Sequence, residues 1–299
     1  MKKNVLYLLL SLFIIPLPYS FAQDLYVGTY NIRYENGSDN KEGNGWSRRC
    51  RVICDQINFE HPDILGCQEV LSNQLEDMLL YLDNYSYIGR GRDDGASSGE
   101  HSAIFYDNNK LTLLENGDFW LSETPEQPSL GWDAACKRIC TWGLFEINHS
   151  DFRFYFFNLH MDHIGVIARR ESTKLVLSRI APYLSEDIPI ILTGDFNVDQ
   201  RDEIYHLITD SGMLNDSYEV ARLRFAENGT FTDYNQTLLT PSRIDHVFIS
   251  SHFLADRYGI LTNTYWNTRG RTNKYGEYPN SDRRLPSDHY PVLVHLKYH

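Results

Sequence analysis

Apolar and polar residues alternate along many short segments of the chain, and a period of two is typical of β-strands. The clearest alternating segment is 25–33, while the continuous apolar run 188–192 indicates a buried strand. The other predicted strands are 62–70, 85–89, 101–106, 111–121, 138–146, 152–160, 243–250, 258–266 and 292–296. The 20 Tyr, 15 Phe and 5 Trp residues favour strands as well.

Four segments carry apolar residues at helical spacing. They are 46–59, 72–82 with Ser72 as the N-cap, 168–183 and the shorter 202–209. In the third helix we expect a buried face. Its residues are Leu175, Val176, Leu177 and Ile180. Arg48, Arg49 and Arg51 in the first helix are most simply a solvated face, and 268–284 is predicted to be a long irregular loop.

The first 22 residues have the pattern of a secretory signal peptide. Lys2 and Lys3 precede an apolar stretch, and Ser20 and Ala22 supply the small residues of a cleavage site. We therefore expect a mature chain that begins at Gln23 and forms one domain over 23–299, since no linker or repeat interrupts it. The alternative for residues 1–22 is a membrane anchor, for which the apolar stretch is short.

The chain has 28 basic and 40 acidic side chains, a net charge of −12. Without Lys2 and Lys3 the charge becomes 26 − 40 = −14. This acidity disfavours nucleic acid as a partner, which needs a basic surface, but it is compatible with a small phosphorylated substrate in a locally basic cleft. The five cysteines lack zinc-site spacing, so buried free thiols are favoured, and a Cys136–Cys140 disulfide is the alternative.

Candidate chemistry lies where the predicted strands end. After 188–192, Thr193 and Gly194 are expected to break the strand, so that Asp195 and Asn197 are presented from a loop. An ordinary turn capped by its own side chains would have the same pattern. The functional interpretation is favoured because similar polar groups recur in five other places, each at the end of a predicted strand or just before one. These groups are Asn31, Glu69, His160 together with Asn158 and Asp162, Asp245, and Asp288 with His289.

Carboxylate and amide oxygens are ligands that suit Mg²⁺ or Mn²⁺. A divalent metal, a carboxylate base and two imidazoles together are the groups of metal-assisted phosphate ester hydrolysis. The Gly-rich loop 89–95 and the basic loop 268–284 are candidates for anion capture, or alternatively solvated loops. The candidate substrate-binding residues are Arg92, Arg138, Asp162, Arg271 and Arg283.

The ordered motifs Thr-Tyr-Asn-Ile-Arg, Gln-Glu-Val, Asn-Leu-His-Met-Asp-His, Gly-Asp-Phe-Asn, Arg-Ile-Asp-His and Ser-Asp-His-Tyr-Pro-Val resemble the endonuclease/exonuclease/phosphatase superfamily. The match runs from residue 25 to the C-terminus and is similar to a secreted bacterial subgroup near the deadenylase branch. The resemblance implies an α/β (α+β) fold, a four-layer sandwich of two packed mixed β-sheets flanked by helices.

The resemblance also implies roles. Glu69, with Asn31 and Asp288, would hold the metal, and Asp195 would orient or deprotonate the attacking water. Asn197 would bind a phosphate oxygen, and His160 would stabilise charge on the phosphorus. His289, oriented by Asp245, would stabilise the same charge or transfer a proton.

Three functions are consistent with these residues. The leading hypothesis is an exported, Mg²⁺- or Mn²⁺-dependent hydrolase acting on a small phosphate ester, such as a sugar phosphate or a lipid head group. The second is an extracellular nuclease, which the net charge of the mature chain disfavours. The third is a phosphate-binding module without catalysis, which the complete set of expected catalytic groups disfavours.

Overall fold

The structure is a computed structural model that describes residues 23–268, 272–278 and 280–298. The segment 1–22 and Arg271 lie outside the described residues. The strands are β1 (Gln23–Asn31), β2 (Ile64–Val70), β3 (Tyr85–Ile88), β4 (His101–Asp107), β5 (Leu111–Trp120), β6 (Ile139–Ile147), β7 (Arg153–His160), β8 (Ile190–Asp195), β9 (Asn215–Asp216), β10 (Leu223–Phe225), β11 (Asp245–Ile249), β12 (Leu254–Ile260), β13 (Tyr265–Asn267), β14 (Asp282–Arg284) and β15 (Val292–Tyr298). The helices are α1 (Gly37–Glu42), α2 (Trp46–Glu60), α3 (Ser72–Tyr81), α4 (Val166–Ser185), α5 (Glu203–Thr209) and α6 (Ser217–Val220).

Two mixed sheets form the centre of the molecule. The first has the strand order β10-β12-β15-β1-β2-β4-β3 and the second has β5-β6-β7-β8-β11-β9. Apolar residues between the sheets make one core, a second core lies under α4 and α5, and a third lies under α2 and α3. These layers confirm the predicted four-layer sandwich, because each sheet buries both of its faces.

A polar network crosses the otherwise apolar space between the sheets. The Asn158 amide nitrogen on β7 donates to the Cys67 and Ala103 carbonyls of the first sheet, at 3.0 and 2.9 Å. Its oxygen accepts from Gln68 Nε2 at 2.6 Å and from Thr193 Oγ1 at 3.2 Å. Asn158 is therefore a fixed link between the two sheets, and it does not line the site with His160 as the alternation predicted.

A β-bulge in β2 makes this link possible. The pairing of β2 with β4 is irregular between Cys67 and Val70, which leaves the Cys67 carbonyl free to accept from Asn158. Within the bulge Glu69 has a φ of 63°, a left-handed conformation that is uncommon for a residue with a side chain. Bulges redirect side chains near functional sites, and this one turns Glu69 out of the sheet alternation.

The prediction that Arg49 belongs to a solvated face is wrong. Its side chain is 0% exposed, and its guanidinium donates to four backbone carbonyls. The acceptors are Asn44 at 2.6 Å, Ile32 at 2.7 Å, and Arg33 and Pro286 at 3.0 Å each. Arg49 therefore holds together three segments that are distant in sequence, and two of them lie next to predicted site residues.

Smaller corrections concern element boundaries. Strand β8 continues through Thr193 and Gly194 to Asp195, because antiparallel pairing with β11 extends to that residue. The predicted strand 258–266 is two strands, β12 and β13, and β13 pairs with β14 inside the region expected to be an irregular loop. The N-cap of α3 is Leu71 and not Ser72. Leu175 is only partly buried.

The cysteines agree with the favoured interpretation of free thiols, of which four are buried and Cys136 is half-buried. All five cysteines are free thiols, so the alternative Cys136–Cys140 disulfide is not present. Among the described residues, no helix has both the length and the apolar character needed to cross a bilayer.

We expect Arg49→Met to lower the free energy of unfolding by about 3–5 kcal/mol, because four backbone carbonyls, three of them in buried hydrogen bonds, would lose a charged donor. Urea unfolding followed by circular dichroism measures this change. Arg48→Met, one residue away on the exposed side of α2, is the matched control and should change stability by less than about 0.5 kcal/mol. Equal stability of the two variants would contradict the structural role of Arg49.

Candidate active site

The strand directions explain why polar residues that are distant in sequence meet. Strands β1 and β2 are parallel, so Asn31 and Glu69 lie at the same edge of the first sheet. Strands β7 and β8 are also parallel, and there His160 pairs directly with Asp195 at the edge of the second sheet. Strands β11 and β15 run antiparallel to β8 and β1. Asp245, which begins β11, and Asp288 and His289, which precede β15, therefore reach the same edges. Asp245 is thereby placed opposite Asp195.

Glu69, Asn31 and Asp288 form the acidic side of the site. Asn31 Nδ2 donates to Glu69 Oε1 and to Asp195 Oδ2, both at 3.0 Å, so the amide connects the two sheets. Glu69 Oε2 accepts from the Tyr34 backbone nitrogen at 3.1 Å. Arg33 Nη1 lies 3.4 Å from Asp288 Oδ2.

Asp195, His289 and Asp245 form a buried chain of charged groups. His289 Nδ1 lies 2.9 Å from Asp245 Oδ2, and because a carboxylate only accepts, Nδ1 carries the proton. The other ring nitrogen, Nε2, lies 3.7 Å from Asp195 Oδ2. Asp195 Oδ1 accepts from the Asn197 backbone nitrogen at 2.9 Å, and the left-handed conformation of Asn197 makes this turn possible. The Asn197 side chain donates to the Met161 carbonyl at 2.9 Å.

His160 lies on the other side of Asp195. Its Nε2 is 3.4 Å from Asp195 Oδ2, and its Nδ1 is 4.0 Å from Glu100 Oε2. Glu100 makes two 2.7 Å bonds to the Arg92 guanidinium. His160 Nδ1 itself has no hydrogen-bond partner among the described residues. This imidazole is therefore held close to Asp195 without being committed to a second partner.

The pKa values of the ionisable groups in the site depart from their ordinary values because these groups are buried close together. Burial raises the pKa of Asp195 to about 7, with Asp245 adding to the rise and His289 opposing it. Burial would lower the pKa of His289, but Asp245 and Asp195 hold it well above its usual range. Burial, together with Arg138 and Arg92, lowers the pKa of His160 well below its usual range, so this ring is neutral.

The donor set fits a hard divalent cation. Burial raises the pKa of Asp288, and the nearby Glu69 carboxylate raises it further, so these two groups repel each other without a shared cation. Oxygen atoms of Glu69, Asp288 and the Asn31 amide are ligands of the type that Mg²⁺ and Mn²⁺ prefer. A second group of possible ligands, Asp195, Asp245 and His289, adjoins this side.

A cavity of about 490 Å³ opens above these groups, a volume typical of a small-molecule site. Glu69, Asp288, Asp195, His160 and His289 lie at its base. The remaining lining residues are Arg33, Tyr34, Arg92, Glu100, Cys136, Arg138, His163, Asn197, Phe231, Asp233 and Ile244. Asn31 and Asp245 do not line the cavity. They are hydrogen-bonded to Glu69, Asp195 and His289, which do line it.

The predicted substrate-binding residues are divided by the structure. Arg92 and Arg138 line the cavity, and Arg138 Nη1 is buried with no hydrogen-bond partner among the residues that the structure describes. Asp162 is buried behind the wall, where its carboxylate accepts from the Ala135, Ile164 and Gly165 backbone nitrogens and lies 3.5 Å from Arg138 Nε. It is placed to hold Arg138 and not to touch a ligand in the cavity.

The basic loop 268–284 does not reach the cavity in its described part. Arg283 on β14 donates to Thr264 Oγ1 at 3.1 Å, and Arg284 donates to Asn44 Oδ1 at 2.9 Å and to the Glu42 carbonyl at 2.8 Å. The geometry therefore contradicts Arg283 as a cavity residue. Arg271 lies outside the described residues.

Several cavity residues escaped prediction. Glu100 immediately precedes β4, which is antiparallel to β2, so it reaches the same edge as Glu69 by the rule that places Asp245 and Asp288. The same reasoning about strand direction, applied to the residue before each predicted strand, identifies Glu100 from the sequence. Phe231 and Asp233 lie outside the named strands in a long connection, where no local pattern marks them.

Comparison with known proteins identifies the relatives of this chain. A sequence model of the Endonuclease/Exonuclease/phosphatase family matches residues 28–289. An uncharacterized protein of Acanthamoeba polyphaga mimivirus is 30% identical over 269 residues, which cover 83% of this chain and 91% of the relative.

Two solved structures from Bacteroides thetaiotaomicron are more similar. A mannosyl-6-phosphatase is 49% identical with a TM-score of 0.86, and the alignment covers 91% of this chain and 99% of that protein. An endonuclease/exonuclease/phosphatase family protein is 48% identical with a TM-score of 0.88, covering 93% and 99% of the two chains.

Asp162→Asn should destabilise the protein in a pH-dependent way. Burial would raise the pKa of Asp162, but the three backbone donors and Arg138 lower it to about 2. Because this value lies below the unfolded value of about 3.9, the stabilisation is complete above that pH and is lost as the pH falls towards 2. We expect a loss of about 1–2 kcal/mol at pH 6 that shrinks by roughly half at pH 3.

Urea unfolding between pH 3 and pH 6 measures the difference between the wild type and the variant. The exposed Asp151 supplies the control, and Asp151→Asn should show no comparable pH dependence. A constant difference across the pH range would show that the carboxylate charge of Asp162 does not contribute.

Proposed function

The chain belongs to the endonuclease/exonuclease/phosphatase family, and we propose that it is a metal-dependent phosphatase that removes the phosphate group from a small phosphorylated sugar. Members of this family hydrolyse phosphate esters. The observation that carries the proposal is the cluster of Asp195, His289 and His160 at the base of a cavity of small-molecule size. The similar mannosyl-6-phosphatase supports the choice of a sugar phosphate over a lipid head group.

Glu69 and Asp288, with the Asn31 amide beside them, are the residues that would hold Mg²⁺ or Mn²⁺. When bound there, such a cation would supply positive charge that offsets the negative charge of a phosphoryl group. The acidic side of the site agrees with this role, since its carboxylates repel one another.

Asp195 is the general base of the proposed reaction. A raised pKa near 7 allows it to accept a proton from water at neutral pH, whereas an ordinary carboxylate would be too weak a base. Hydrogen bonds from Asn31 and from the Asn197 backbone fix its orientation. The remaining amide hydrogen of Asn197 is available to a phosphoryl oxygen.

The two histidines have different proposed roles. His289 is held protonated by Asp245 and Asp195, so it can donate to a phosphoryl or leaving-group oxygen. His160 is neutral and donates a hydrogen bond as negative charge develops on the phosphoryl group. Arg138, with an unpartnered Nη1, and Arg92 add positive charge to the same wall of the cavity.

We propose that the enzyme works outside the cytoplasm, because residues 1–22 have the pattern of a signal peptide. A nuclease is the second candidate within the family. The net charge of the chain disfavours it, because nucleic-acid binding without sequence preference requires a broad basic surface.

The purified mature protein should release inorganic phosphate from mannose 6-phosphate in the presence of Mg²⁺ or Mn²⁺. Glucose 6-phosphate, phosphocholine, single-stranded DNA and polyadenylate complete the substrate panel. Preference for either nucleic acid, with activity that falls steeply with salt, would replace the phosphatase with a nuclease.

Asp195→Asn should lower kcat for the preferred phosphate ester by about 10³-fold, because the base is lost while its shape is kept. His289→Gln should lower kcat by about 10²-fold or more for the loss of the proton donor. Steady-state phosphate release measures both. Asp151→Asn, a change of the same chemistry on an exposed turn, serves as the control. Turnover at the wild-type rate in either site variant would exclude the proposed mechanism.

Glu69→Gln should weaken metal binding. Saturating Mg²⁺ or Mn²⁺ should raise the Tm of the wild type, because a ligand at 100 times its Kd stabilises the folded state by about 2.7 kcal/mol. The variant should require at least about tenfold more metal for the same shift, whereas Glu115→Gln on an exposed edge strand should behave as the wild type. An unchanged metal titration for Glu69→Gln would remove this residue from the metal site.

A further inference from the structure

Phe231 is a partly exposed aromatic residue at the wall of the catalytic cavity. It is 39% exposed, and its ring lies 4.9 Å from the His289 ring, centroid to centroid, at an angle of 56°. Large apolar side chains of this exposure inside a polar cavity are unusual, since the hydrophobic effect favours their burial. The exposed face of Phe231 is therefore available to a ligand that is bound beside His289.

The backbone around Phe231 is tied to the catalytic residues. Thr232 donates from its backbone nitrogen and its hydroxyl to the Asp288 carbonyl, at 2.7 and 2.8 Å. Thr230 Oγ1 accepts from the Ile244 and Asp245 backbone nitrogens at 2.9 and 3.1 Å. These contacts use only the two threonines, so the position of Phe231 is set by β11, which begins with Asp245, and by the segment that carries Asp288 and His289.

Asp233 extends the same wall. It is exposed, it lines the cavity, and its carboxylate has no hydrogen bond or ion pair with any described residue. Asp233 and Tyr234 have φ values of 49° and 58°, two consecutive left-handed residues other than glycine. Such conformations are strained for residues other than glycine and are concentrated at ligand-binding positions. The Tyr234 ring lies 6.0 Å from the Arg49 guanidinium carbon, which anchors the turn to the buried arginine.

An aromatic face next to a free carboxylate matches the chemistry of a sugar ring. The C–H face of a pyranose is apolar and packs on an aromatic ring, while its hydroxyl groups donate to a carboxylate. The negative charge of Asp233 would at the same time repel a second phosphate group, such as the next phosphate of a nucleic acid.

We propose that Phe231 and Asp233 form the leaving-group subsite of the enzyme, and that this subsite selects an uncharged sugar bearing a single phosphate. This inference rests on the proposed phosphatase function. The phosphate group would lie against Asp195 and His289, with the sugar ring on Phe231 and its hydroxyl groups towards Asp233. Both residues are assigned to substrate specificity and not to the chemical step.

The test compares kcat/KM for mannose 6-phosphate with kcat/KM for ethyl phosphate, which carries neither a ring nor free hydroxyl groups. Phe231→Ala should lower this ratio by about tenfold or more, mainly through the KM of the sugar phosphate, because a packed ring face is lost. Phe231→Tyr, which retains the aromatic face, should restore the ratio.

Asp233→Asn should lower the same ratio by about fivefold to tenfold. It should also increase kcat/KM for fructose 1,6-bisphosphate relative to mannose 6-phosphate, because the repulsion of the second phosphate is removed. Glu227→Gln is the matched control, since Glu227 is an exposed carboxylate that lies six residues earlier and does not line the cavity.

The outcomes separate the two proposals. Hydrolysis of mannose 6-phosphate with ratios that do not change in the Phe231 and Asp233 variants would overturn the subsite while the proposed function stands. An equal loss for both substrates in Phe231→Ala would also overturn it, because the ring would then act only on His289. Wild-type activity confined to nucleic acids would overturn the proposed function, and the subsite with it.

Discussion

The fixed spacing between the two sheets is the constraint on which the site depends. Asn158 supplies it with four buried hydrogen bonds, which join β7 to β2, β4 and β8 in the middle of the sandwich. A buried polar group costs stability when any partner is missing, so a slipped register would be strongly disfavoured. Glu69 comes from one sheet and Asp195 from the other, and only a fixed register brings the Asn31 amide within 3.0 Å of both.

The bulge in β2 connects this constraint to the chemistry. It frees the Cys67 carbonyl for Asn158 and turns Glu69 towards the cavity in the same three residues. The resulting concentration of buried carboxylates is unfavourable in isolation, as the raised pKa values of Asp195 and Asp288 show. This arrangement suits the proposed function, because a carboxylate with a pKa near 7 could act as a base and the acidic side could attract a cation. The hydrogen bonds of Asn158 behind the site therefore stabilise this region, whereas the buried carboxylates of the site do not.

Much of the fold and of the catalytic cluster was predictable because the signals are local. Strand periodicity followed by a polar residue predicts Asn31, Glu69, His160 and Asp195 at strand ends. The four-layer sandwich, which the structure confirms, is implied by the resemblance of six ordered motifs to a known family. The helical pattern places Arg49 on a solvated face, because such a pattern cannot reveal a contact with the Pro286 carbonyl, 237 residues away. The prediction that Arg283 lines the cavity is contradicted, because a cluster of basic residues in the sequence does not determine which of them face a cavity.

The backbone contacts of the turn that contains Phe231 and Asp233 explain how the residues proposed for substrate selection can be separate from those proposed for catalysis. Thr230 and Thr232 fix the turn to the strands of Asp245 and Asp288, while the side chains of Phe231 and Asp233 take no part in those bonds. Substitutions at Phe231 and Asp233 can therefore change what fills the cavity without moving the base. The residues proposed for catalysis have no such freedom, because each contacts another residue of the cluster or of the network behind it. A family with constant catalytic motifs and varied substrates is what this arrangement would be expected to produce.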